Sequence, residues 1–290
     1  MIRRFSLQAL ASALAGAGLG LFVWMGISVA LLQANSGNLV ALRSLQHTGL
    51  VIAGLLTLAS LVNLRACPTA SGIKWRQITA GALVLTLASA VAVLILLSLR
   101  TPTPGWTALC AALLSIGAIA TTLGLGMCAT TSSHANWQRQ MVAPGFLAYA
   151  LLAGATVLFA LIALKWPGQG LLSMPAVSLV TLAVMVAATK VLYWSENGSL
   201  RAGVQGLADN LALPLRVVIL ALLAVIPALL TLALVLWPGF FPRTGWSLVA
   251  LSILAGGYLE RQLLAAEAAT PRDPPKQTPA AKQKSGKTEQ

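Results

Sequence analysis

Eight apolar runs, each long enough to cross a lipid bilayer as a helix, divide this 290-residue chain. They occupy 9–32, 45–64, 78–99, 106–128, 143–164, 172–194, 214–237 and 246–268. A helix rises about 1.5 Å per residue, so about 20 apolar residues cover the roughly 30 Å of hydrocarbon. Only 9% of the residues are charged and 58% are hydrophobic, which leaves too little polar surface to enclose a soluble core of this size. The runs predict an all-α integral membrane protein, a bundle of eight transmembrane helices over residues 1–269.

The basic residues gather on alternate loops. Arg3, Arg4, Arg65, Lys74, Arg76, Arg139, Lys190, Arg201, Arg216, Arg261 and the five basic residues after 270 fall on one side, fifteen of the nineteen Lys and Arg. The other side holds Arg43, Arg100, Lys165 and Arg243, one per loop. Without the tail the ratio is still ten to four. The positive-inside rule then puts both termini on the same, cytoplasmic, side. Seven of the eight tryptophans, Trp75, Trp106, Trp137, Trp166, Trp194, Trp237 and Trp246, lie at or just outside a run boundary, where an amphipathic ring favours the headgroup layer; Trp24 alone lies well inside.

Arg3, Arg4 and Ala11-Ser12-Ala13 imitate a secretory signal. The apolar run continues uncharged to Leu32, too long for a signal core of about 7 to 15 residues, and predicts an uncleaved first helix. Residues 270–290 carry four prolines and no large apolar side chain, so they form a separate disordered basic tail. The formal net charge of +13 reflects topology and tail. No compact basic domain exists to hold a nucleic acid, and the lipid bilayer is the expected partner surface.

Several chemistries are disfavoured. The six acidic residues all lie at or after Glu196, so the first five spans offer no carboxylate for an ion-coupled transporter. His47 and His134 fall near opposite faces and cannot ligate one haem iron. Cys67, Cys110 and Cys128 have no metal-ligand spacing, and Cys110 and Cys128 are about 27 Å apart along one helix; all three are read as small buried hydrophobes. No bound metal or covalent cofactor is expected. Gly16 and Gly20 have the spacing that lets membrane helices approach closely. Pro227 predicts a kink, and Asn197-Gly198-Ser199 is a glycosylation match of little weight in a cytoplasmic loop.

One face retains polar residues. Asn63 and Arg65 close the second run, His134 follows the fourth, Lys190 and Tyr193 close the sixth, Arg216 opens the seventh, and Glu260 and Arg261 lie within the last. Burying each of the last two costs on the order of 2.5 to 3.5 kcal/mol, so partners or water must compensate. Adjacent on a helix, they point about 100° apart and are expected not to pair with each other, Glu260 sharing its face with Glu267.

Phe5-Ser6 followed by Gly16-Ala17-Gly18-Leu19-Gly20-Leu21-Phe22, Leu58 to Leu64 leading to Trp75-Arg76, Met127-Cys128 leading to Trp137 and Pro144, Lys190 to Trp194, and Leu259-Glu260-Arg261 to Ala266-Glu267-Ala268 stand in a set order. Together they resemble the eight-helix anchor subunits of dimethyl sulfoxide reductase, most nearly the anchor of membrane-bound sulfite dehydrogenase, over nearly the whole length to residue 269. The resemblance implies a non-catalytic subunit that docks an iron-sulfur subunit and a molybdopterin catalytic subunit and exchanges electrons with quinone or quinol, menaquinone or ubiquinone. Its quinone-side candidates are Asn63, Arg65, Trp75, Arg76, His134, Tyr193, Glu260 and Arg261. The chain departs from the family pattern in three places. Asn63 stands where the family has a histidine, so an amide replaces a protonatable imidazole; no Arg-Glu follows Trp75-Arg76; and Ala129-Thr130-Thr131-Ser132-Ser133 replaces a Met-Ile-Tyr type sequence. A scaffold or assembly protein of the same family, without quinone chemistry, is the alternative.

Overall fold

The computed structural model describes residues 2–32, 39–67, 73–99, 104–131, 141–165, 173–196, 209–237 and 242–269. His134, Trp137, Trp166, the Asn197 motif and the tail from 270 lie outside them, as do the side chains of Glu196 and Glu267. Among the described residues the chain is all helical, with no strand. The helices are α1 (Ile2–Leu32), α2 (Leu39–Thr57), α3 (Ser60–Ala66), α4 (Ile73–Ser98), α5 (Pro104–Thr131), α6 (Val142–Lys165), α7 (Ser173–Glu196), α8 (Asp209–Leu220), α9 (Ile226–Leu236) and α10 (Pro242–Ala269).

These helices make eight segments long and apolar enough to cross a membrane: Leu7–Leu32, Leu42–Ala66, Ile73–Ser98, Pro104–Thr130, Val142–Lys165, Ala176–Ser195, Pro214–Leu236 and Arg243–Ala265. All eight expected runs are present, with ends displaced by five residues or fewer. Two of the segments are not continuous α-helix. The second breaks between α2 and α3, where tight turns link Ala59 N–H to the Leu56 carbonyl at 3.2 Å and Leu61 N–H to the Leu58 carbonyl at 3.1 Å. The seventh joins α8 to α9 through a π-helical turn, Ala221–Val225, just before Pro227. Proline has no N–H to donate and its ring displaces the preceding turn. The Ser252 hydroxyl of α10 donates to the Leu222 carbonyl in that turn at 2.9 Å, satisfying a backbone group that hydrocarbon could not. The expected kink at Pro227 is thus a widened turn with its own side-chain partner.

Helix α1 is the hub, packed against α2, α5, α6 and α10. Its small residues explain why. A side chain at Gly20 would enter the Ala150 carbonyl of α6, and one at Gly154 would enter the Gly20 backbone, so α1 and α6 touch main chain to main chain. The Tyr149 ring of α6 fills the next gap, between Gly16 on α1 and Gly257 on α10, and its hydroxyl donates to the Ala13 carbonyl at 3.2 Å. Apolar side chains cover the outer faces, as at Leu55, Val84, Ile116, Val177 and Leu251. The tryptophans divide: Trp106 and Trp237 are exposed near segment ends, whereas Trp194 and Trp246 are buried against neighbouring helices. Trp24 donates its indole N–H to the Leu151 carbonyl at 2.9 Å.

Candidate functional site

Four helix ends and the short α3 converge on one cavity of about 130 Å³. Helix α1 contributes Gln8 and Ser12, α3 contributes Asn63 and the following Cys67, α5 contributes Cys128, α6 contributes Phe146, and α10 contributes Arg261. The break after Thr57 makes α3 a separate element, and Asn63 and Cys67 line the cavity from its last turn and just beyond.

Arg261 links the cavity to an ionic cluster. Its guanidinium carbon lies 3.3 Å from the centre of the Phe146 ring and 5.3 Å from that of Tyr149, a stacked arrangement that favours a cation without hydrating it. Its Nη1 is 3.5 Å from Glu260 Oε1, and that oxygen also accepts from the Lys190 ammonium of α7 in a buried ion pair. All three residues are at least 95% buried. Lys190 reaches this position past Gly145, whose missing Cβ would stand 3.2 Å from the ammonium nitrogen. The expectation that Glu260 and Arg261 do not pair is therefore corrected. Their Cα–Cβ bonds diverge, but the arginine side chain is long enough to fold back to the shared oxygen. The partner that sequence spacing missed is Lys190, seventy residues earlier on another helix.

Of the quinone-side candidates, the structure brings Asn63 and Arg261 to the cavity and Glu260 directly behind it. Arg76, half-buried on α4, lies within electrostatic reach of Cys128. Arg65 is exposed, Trp75 is 36% exposed, and none of Arg65, Trp75 and Tyr193 lines the cavity. Tyr193 is buried on α7, next to Trp194, whose ring lies 5.6 Å from the Arg216 guanidinium. His134 lies outside the described residues. His47, remote from all of these, has Nδ1 2.8 Å from the Arg43 carbonyl and Nε2 3.1 Å from Ser98 Oγ.

Cys67 and Cys128 were not anticipated as neighbours. Both line the cavity, and Cys128 Sγ is 3.9 Å from Thr79 Oγ1. The clue was available: one cysteine follows the second run and the other ends the fourth, so alternation put both at the same end. Gln8 and Ser12 gave no comparable signal, because a single polar residue near the start of an apolar helix is ordinary.

Searches of family models, curated proteins and solved structures return no match to this chain. The site itself is a donor-rich hollow with an apolar wall. Amide, hydroxyl and guanidinium groups can hold the oxygens of a small ring or headgroup, while Phe146, Leu125 and Leu264 offer apolar contact.

Proposed function

We propose that this chain is the membrane anchor subunit of a molybdopterin oxidoreductase of the dimethyl sulfoxide reductase or sulfite dehydrogenase type, in the bacterial inner membrane with both termini cytoplasmic. It docks an iron-sulfur subunit and a molybdopterin catalytic subunit at the face where its basic loops gather, and it receives quinone or quinol from the bilayer.

The observation that carries this reading is the cavity shared by Asn63 and Arg261, at the end of the helices to which the charge rule assigns the cytoplasm. A quinone ring carries two carbonyl oxygens on a flat apolar body. Asn63 can donate its amide N–H to one such oxygen and Arg261 can donate a charge-assisted hydrogen bond to another. Phe146 and Leu264 supply the apolar contact. Neither donor delivers a proton near neutral pH. The Lys190–Glu260 pair lies directly behind Arg261, and the electrons belong to clusters in the partner.

The test is purification of the tagged chain from its native membranes. Molybdopterin and iron-sulfur subunits should co-purify, and quinol-linked electron transfer by the complex should fall at least tenfold in Arg261→Gln. Purification without either subunit would refute the anchor role. Asn63, in place of the family's histidine, favours a second reading, a scaffold without quinone chemistry; it predicts co-purification with activity indifferent to Arg261→Gln.

A further inference from the structure

The cavity is small for a quinone. Its volume is about 130 Å³, whereas pockets for small organic ligands run to about 300–1,000 Å³. A ligand of that class enters only if one wall moves, and the wall elements differ in how firmly they are held. Helices α5, α6 and α10 are long, and each packs on the hub α1. Helix α3 has seven residues, of which Ser60 and Leu64 are buried. Its Leu61, Val62, Arg65 and Ala66 are exposed, yet Asn63, Ala66 and the following Cys67 form part of the cavity wall.

The joint behind α3 is weak on one side only. Ala59, Leu61 and Val62 donate their N–H groups to carbonyls three residues back, in place of α-helical bonds, and no side chain caps the start of α3 at Ala59. On the α2 side the joint is pinned. Thr57 fits against Gly18 of α1, and its backbone nitrogen and its hydroxyl each stand 2.7 Å from where a Cβ on Gly18 would lie. Thr57 and Ser60 are 1% and 0% exposed, and their hydroxyls have no hydrogen-bond partner among the described residues. A buried hydroxyl without a partner penalises the conformation that buries it, which here is the one with α3 packed inward. Moving α3 outward carries little hydrophobic cost, because lipid tails are as apolar as the bundle. What holds it in place is van der Waals packing at Leu64.

We propose that α3 is a hinged flap. It turns about residues 58–60, swings from α1 and α5 toward the lipid, opens the cavity sideways to a quinone and closes on it. Leu7 and Leu10 on α1 and Leu61 and Val62 on α3 are exposed on either side of the gap, and Gln8 and Ala66 stand exposed at its rim. An isoprenoid tail therefore stays in the bilayer while the ring passes between the two helices. The choice of ligand rests on the quinone reading of the cavity, whereas the hinge rests on α3 and its joint alone.

Cys67, buried at the end of α3, reports the motion through its thiol. The full-length chain in phosphatidylglycerol–phosphatidylethanolamine nanodiscs is treated with N-ethylmaleimide, and labelling of Cys67 is followed by peptide mass mapping with Cys110 as internal reference. Ser60→Ala removes a hydroxyl that disfavours the closed flap and should slow Cys67 labelling at least threefold. Leu64→Ala removes the packing that holds the flap and should speed it at least threefold. Labelling of Cys67 that is unchanged in both variants overturns the flap. Decylubiquinone, a short-tailed quinone, should slow labelling of the unaltered chain at least fivefold at saturation by filling the cavity under a closed flap. Labelling that follows the two variants but ignores decylubiquinone supports the flap and overturns the quinone reading, so the two failures are told apart.

Discussion

The Lys190 ammonium on α7 and the Glu260 carboxylate on α10 form an ion pair from which water is excluded, with side chains 7% and 2% exposed. Such a pair contributes little over an apolar replacement of both partners, yet removing one partner strands the other. Glu260 serves two cations here. Glu260→Gln should therefore destabilise the detergent-solubilised protein by about 3–5 kcal/mol, and Lys190→Met by clearly less, since Arg261 still neutralises the carboxylate. Thermal melting of both variants is the check. An equal or larger loss for Lys190→Met would contradict the shared-oxygen arrangement.

The shared cavity lined by Cys67 and Cys128 predicts selective oxidation. Mild treatment with a thiol oxidant should join these two residues within one chain and leave Cys110 reduced. Peptide mapping under non-reducing conditions reads the outcome directly. A Cys67–Cys110 linkage, or no linkage while all three thiols remain intact, would mean that the α3 and α5 ends are not neighbours.

Helix α1 meets α6 where neither tolerates a side chain. Gly20→Leu and Gly154→Leu should each prevent accumulation of folded protein, because the added atoms meet backbone that cannot rotate away. Gly81, in the middle of α4, has no atom within 4 Å of a built Cβ. Gly81→Ala should raise stability by up to about 1 kcal/mol through helix propensity. Size-exclusion profiles and melting temperatures of the three variants separate the cases.

The Ser252 hydroxyl holds a carbonyl of the π-helical turn. Its replacement by alanine should cost about 0.5–1.5 kcal/mol, well below the loss for Glu260→Gln. Hydrogen exchange should rise locally around Leu222 without change in α4 or α5. Uniform exchange would show that the turn does not rely on this bond.

Much of the architecture was legible because hydrocarbon imposes a one-dimensional rule. A segment must be long enough, apolar enough and internally hydrogen-bonded, and Leu7–Leu32 or Ile73–Ser98 satisfies that rule from its own residues. Pro227 announced a local departure for the same reason, since a missing N–H is a property of the residue and not of its neighbours. Gly16 and Gly20 disclosed that α1 has a close partner but not which one. The tertiary structure named α6, and it alone paired Glu260 with Lys190 and brought Cys67, Cys128, Asn63 and Arg261 to one cavity. Helices this uniformly apolar carry almost no periodicity to say which side faces a neighbour. Rotation about the helix axis is set by main-chain close approach at Gly20 and Gly154 and by a few polar side chains that must find partners across helices. Sequence thus determined that the chain has eight membrane-length apolar segments and, to within five residues, where they end; packing decided which polar groups meet, because that depends on contacts between residues far apart in the chain.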